Sequence, residues 1–120
     1  FFAQIEDMAG VQNSREIAAV DGVDVLFVGP SDLRLDLEHN PAARITSFES
    51  AIQQVADAAN THHKRAGILL RDYSTLKAMQ MLGFSSVAID SDIGILRAGY
   101  KKIAEHITAI RQSAGARNKE

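Results

Sequence analysis

Short apolar runs alternate with longer amphipathic stretches four times along the 120-residue chain, and this alternation restricts its fold more than any other property. Strands are expected near residues 1–6, 23–29, 66–70 and 86–90. Val23 to Val28 is an almost unbroken run of β-branched, aliphatic and aromatic residues, the pattern of a parallel strand buried on both faces. Between the runs the apolar spacing turns helical. Asn13 and Glu16 form a capping-box pair at the head of a helix reaching Val20. Thr46 and Glu49 form a second such pair, ahead of Phe48, Ile52, Val55, Ala56 and Ala59. Asp72 suits the cap of a helix carrying Leu76, Met79 and Leu82, with Gly83 to end it. Leu96, Tyr100, Ile103, Ile107 and Ile110 mark one stripe of a long final helix. Ser31 to about Ile45 reads as a long polar loop.

The order is therefore βαβαβαβα, which means a parallel α/β sheet. A doubly wound open sheet and a piece of a barrel both satisfy it. Four βα units make half of a (β/α)8 TIM barrel, and a whole barrel takes about 250 residues. Residues 1–112 are expected to form the structured part and 113–120 a polar tail. The chain opens on an apolar run without an initiator Met, as a segment of a longer protein would.

Composition removes several function classes. The net charge of -2 offers no broad attraction to nucleic acid or to an anionic membrane. No apolar run approaches the roughly 20 residues that span a bilayer, and no basic, then apolar, signal segment is visible. With no cysteine there is no disulfide framework, thiolate nucleophile or thiolate zinc site. These features fit a reducing compartment, and a cytoplasmic location is expected. No dinucleotide fingerprint or P-loop appears.

Parallel α/β folds collect their chemistry at the carboxyl ends of the strands. The first end reads Gln4-Ile5-Glu6, where residues two apart face the same side. The second reads Gly29-Pro30-Ser31-Asp32-Leu33. Gly29 permits close approach to the backbone, Pro30 stiffens the turn, and the Ser31 and Asp32 amides suit an anion such as a carboxylate. Glu6 and Asp32 thus stand at the ends of adjacent strands. Two carboxylates with open positions suit a hard divalent cation, Mg²⁺ or Mn²⁺. Such a cation takes a 2-keto acid through its carboxylate and carbonyl oxygens and stabilises an enolate as a Lewis acid. Taken singly, either carboxylate equally suits a helix cap or a surface charge. Arg71, Asp90 and Asp92 lie at the third and fourth strand ends. Arg71 suits a distal substrate carboxylate or a salt bridge, and Asp92 suits the cap of the last helix. His39 falls in the loop, and His62, His63 and His106 read as surface residues.

These residues carry a resemblance. Gln4-Ile5-Glu6, Gly22-Val23-Asp24 and Phe27-Val28-Gly29-Pro30-Ser31-Asp32-Leu33 resemble the C-terminal half of the HpcH/HpaI aldolases, class II 2-keto-acid aldolases. The likeness continues through Gly67-Ile68-Leu69, Leu82-Gly83-Phe84 and Val87-Ala88-Ile89-Asp90-Ser91-Asp92. It implies half of a TIM barrel of the phosphoenolpyruvate/pyruvate superfamily. It implies Glu6 and Asp32 as ligands of Mg²⁺, Mn²⁺ or Co²⁺, and Gln4, Ser31 and Asp32 as contacts of a keto acid of pyruvate or oxaloacetate type. The implied reaction is reversible carbon–carbon cleavage to pyruvate and an aldehyde in a homo-oligomer, often a hexamer. The family's base His and its enolate-stabilising Arg come from the N-terminal half, so no catalytic residue maps onto this stretch, and the fragment alone is expected to be inactive. Asp90 departs from the family, which often has Gly there; Arg34 and Arg71 are also atypical. Two other readings compete: a truncated or degenerate paralogue that only binds a partner subunit or an acidic metabolite, and a phosphoacceptor-like open sheet. The second needs a Lys at a late strand end, where this chain has Asp90, Ser91 and Asp92. Strand order separates a barrel from a doubly wound sheet.

Overall fold

The computed structural model of the chain describes residues 1–39 and 47–117. They form two compact units, Phe1–Ile89 and a second beginning at Asp90. The first unit runs β1 (Phe2–Ile5), α1 (Met8–Gln12), α2 (Ser14–Ala18), β2 (Val25–Val28), α3 (Pro30–His39), α4 (Phe48–Thr61), β3 (Arg65–Leu70), α5 (Leu76–Met81) and β4 (Phe84–Ile89). The second unit holds one helix, α6 (Asp92–Arg117).

All strand pairs are parallel, and their spatial order is β1-β2-β3-β4. The register lines up Gln4, Phe27, Gly67 and Ser86 in one row and Ile5, Val28, Ile68 and Val87 in the next. Because successive residues alternate faces, these rows point to opposite sides of the sheet. The second row belongs to the core. Ile5, Leu26, Val28, Ala66 and Ile68 pack with Met8 and Val11 of α1, Ala18 of α2, Leu33 of α3 and Ile52 and Val55 of α4. Leu76 and Met79 of α5 lie partly buried against the same cluster. The helices of this unit therefore build one core on one face. None of Phe2, Gln4, Phe27, Leu69 or Ala88 joins it, and Phe2 and Leu69 are 59% and 38% exposed. A doubly wound sheet covers both faces and reverses its strand order at a switch point. Consecutive order with helices on one side is the arrangement of a barrel wall. The unit is an α/β fragment of a barrel.

Local sequence explains most elements. Ser47 caps α4 by accepting the Ser50 N–H at 3.1 Å. Ala51, Ile52, Val55, Ala56 and Ala59 then fall on its buried stripe, and its many alanines bring it close to β2, β3 and α2. The helix ends in a Schellman motif: His63 N–H bonds Asn60 O at 3.1 Å, and Lys64 N–H bonds Ala59 O at 2.9 Å. His63 occupies the left-handed position, φ 56°, usually given to Gly. Gly83, φ 95°, follows α5 as the sequence pattern requires.

Several expectations need correction. The polar loop from Ser31 begins instead as α3, with Pro30 at its first position and Leu33 and Leu37 one turn apart against the core. Asp32, Arg34 and Glu38 are exposed and mask a narrow apolar stripe. The helix expected from Asn13 is α2, which ends at Ala18; α1 before it was not expected, and Asn13 makes no side-chain cap bond. Thr46 lies outside the described residues; the cap is Ser47. Asp72 does not cap α5, which starts after Thr75; its carboxylate accepts the Ser74 N–H at 2.7 Å in a tight turn. In the second unit Ser91 Oγ, not Asp92, accepts the N–H three residues on, from Gly94 at 3.1 Å. Helix α6 continues to Arg117, through residues that read as the start of a polar tail. No helix among the described residues is long and apolar enough to cross a membrane.

Candidate functional site

The carboxyl ends of β1 and β2 lie side by side, because Ile5 pairs with Val28 and Gly29 N–H bonds Ile5 O at 2.9 Å. Glu6 leaves β1 directly before α1. Its corner is fixed twice: Asp7 caps α1 by accepting the Gly10 N–H at 2.6 Å, and Asp36 of α3 accepts the Met8 N–H at 2.8 Å. Sequence reasoning missed both. Asp7 carried a readable signal, an Asp three residues ahead of Gly10. Asp36 did not, since its partner is 28 positions away.

Gln4 and Glu6 share the face that carries no helix of this unit. Gln4 Nε2 donates to Glu6 Oε2 at 2.6 Å. Opposite them stands Gly29, and a Cβ added there would fall 3.1 Å from Glu6 Cβ, 3.2 Å from Gln4 Nε2 and 3.4 Å from Glu6 Oε2. Gly29 is required for that space, since its φ is not among the positive ones. The chain then enters α3 at Pro30. Ser31 and Asp32 fall in its first turn, both exposed, where helical N–H groups have no intrahelical acceptor and favour negative charge. Gln4, Glu6, Ser31 and Asp32 thus all stand at the carboxyl ends of β1 and β2.

The donor set fits a hard divalent cation. Mg²⁺ is commonly held by one or two carboxylates and keeps several waters, and Glu6 and Asp32 supply that number. Among the described residues no group of three or more His, Asp or Glu side chains gathers, here or elsewhere.

Two of the other candidates, Arg34 and Arg71, meet this site only at Ser31. Arg34 lies 3.6 Å over the Phe48 ring and ties α3 to α4. With Ser31, Glu49, Arg71 and Thr75 it lines a cavity of about 510 Å³ on the helix side of β3, which includes neither Glu6 nor Asp32. His39 Nδ1 lies 2.8 Å from Leu35 O of its own helix. The Ser74 hydroxyl and backbone N–H hold the exposed Asp72 carboxyl below its ordinary range. Asp90 is left-handed, φ 58°, a conformation that favours Gly.

Four parallel strands in consecutive order, with the helices of the first unit on one face, define a segment of a TIM-barrel protein. The particular family follows from comparison: residues 1–99 match HpcH/HpaI aldolase/citrate lyase, and the chain belongs to that family. A 5-keto-4-deoxy-D-glucarate aldolase of Shigella boydii serotype 18 is 39% identical over 102 residues, 85% of this chain and 40% of that protein. A family member from Burkholderia cenocepacia J2315 superposes with TM-score 0.77 at 28% identity, covering 89% of this chain and 42% of the other. An HpcH/HpaI aldolase from Desulfitobacterium hafniense DCB-2 gives TM-score 0.77 at 25% identity, covering 88% and 41%. The chain thus spans about two fifths of the length of these relatives.

Proposed function

We propose that this chain supplies the metal- and keto-acid-binding part of an aldolase that reversibly cleaves a 2-keto acid to pyruvate and an aldehyde. The observation that carries the reading is Glu6, seated over the side-chain-free Gly29 on the face without helices and one strand from Asp32 in the first turn of α3. Glu6 and Asp32 would hold Mg²⁺, Mn²⁺ or Co²⁺, and the cation supplies Lewis acidity toward the carbonyl oxygen of the bound keto acid.

The chain's own residues do the rest of the binding. The first-turn amides at Ser31 and Asp32 receive the keto acid's carboxylate, helped by the partial positive charge of the α3 N-terminus. Pro30 fixes φ at the helix entrance and so holds those amides in place. Gln4 lies within reach of the same space. Proton transfer at the pyruvate methyl group falls to residues outside this stretch, in keeping with the family resemblance. The name of the Shigella relative favours a sugar-derived keto acid as the substrate of the whole protein.

The test is exchange of the pyruvate methyl protons with deuterated solvent, catalysed by the full-length protein with Mg²⁺ or Mn²⁺. Glu6→Ala and Asp32→Ala are each expected to abolish metal-dependent exchange while leaving the melting curve in place. Full exchange in both variants would rule the site out.

A further inference from the structure

We propose that Gln4 is a positioning residue for the Glu6 carboxylate, and through it for the divalent cation; this rests on the reading of Glu6 as a metal ligand. Gln4 and Glu6 are two apart along one extended segment, so their side chains leave the same face. The amide nitrogen stands within hydrogen-bond distance of the carboxylate, at 2.6 Å, and a bond to an ionised acceptor is stronger than one between neutral groups. The contact engages Oε2 and leaves Oε1 outside the bond.

The surroundings explain why this pairing forms. Gly29 leaves open the volume that a Cβ would share with both partners, at 3.2 Å from the amide nitrogen and 3.4 Å from Oε2. An amide is also the donor that suits this place. It stabilises the ionised carboxylate, whereas a Lys would bring a positive charge beside the cation. Groups that orient a ligating carboxylate in this way typically change metal affinity by about 10- to 100-fold when removed. A residue that only touched the keto acid would leave metal affinity unchanged. The two roles therefore separate in a binding measurement made with no keto acid present.

The experiment measures Mn²⁺ binding to the full-length protein directly, by the electron paramagnetic resonance of free Mn²⁺, with thermal melts as a check on folding. Gln4→Met keeps the length of the side chain and removes the N–H donor. Gln4→Asn keeps the amide and withdraws it by one methylene. Both are expected to raise the Mn²⁺ Kd roughly 10-fold or more. In a Glu6→Gln background, Gln4→Met is expected to add nothing, since it acts through Glu6. Unchanged Mn²⁺ affinity in both Gln4 variants, with weakened pyruvate binding, would overturn the proposal and leave Gln4 a substrate contact. Wild-type Mn²⁺ affinity in Glu6→Gln would overturn the metal-site reading itself, and this inference with it.

Discussion

Gly67→Ala tests the packing beneath the site. Gly67 lies on the face without helices, in the row of Gln4 and Phe27. A Cβ built there would fall 2.6 Å from Phe27 Cδ2, 2.9 Å from Val25 Cγ1 and 3.2 Å from Ser86 O. Carbon atoms settle near 3.5–4.0 Å, so the Phe27 ring would have to withdraw by about 1 Å. That ring is also held against Phe2, with centroids 5.9 Å apart and planes tilted by 49°. Overpacking of this kind costs about 1–3 kcal/mol. Replacing Gly by Ala regains about 0.4–1 kcal/mol from the stiffer unfolded chain. The net expectation is a loss of about 1–2 kcal/mol. For a domain of 150–250 residues that lowers Tm by roughly 2–8 °C. Urea titration of the full-length protein measures it, and Phe27→Ala supplies the control. With Ala at position 27 the cost of Gly67→Ala is expected to shrink, because the closest of the three contacts is gone. A Gly67→Ala protein as stable as wild type, or a cost unaffected by Phe27→Ala, would refute the packing argument.

Gly29→Ala is expected to change stability little, since the position needs no left-handed backbone, but to displace Gln4 and Glu6; Mn²⁺ titration should show at least a roughly 10-fold weaker Kd. His63→Gly should stabilise the protein by about 1 kcal/mol, because the Schellman position at φ 56° penalises a side chain; the urea midpoint reports it. Ser14 is fully buried and its hydroxyl finds no hydrogen-bond partner among the described residues, so Ser14→Ala should stabilise by about 1 kcal/mol in the same assay.

Much of this architecture was legible in the chain. The β-branched run of Val23–Val28, the apolar stripe from Ile52 to Ala59 and the terminating Gly83 are local patterns, and local patterns set strand and helix type. Glu6 and Asp32 were legible as candidates because strand ends can be read from where apolar runs stop. Helix α3 was not legible, since its charged surface outweighs a stripe of two leucines. The cap at Ser47 was displaced by one residue from the expected Thr46, an error within the reach of any boundary read from sequence.

By itself, then, the sequence determined the parallel α/β character of the chain, the places of its four strands and the residue types at its strand mouths. Those depend on periodicity and on turn residues, which act over a few positions. Only the tertiary structure decided between a barrel wall and a doubly wound sheet, because strand order and the choice of face depend on contacts between distant segments. It alone paired Asp36 with Met8 and set the Gln4 amide on Glu6 in the space left by Gly29. Such arrangements arise when separate strands come into register, and no local pattern encodes them.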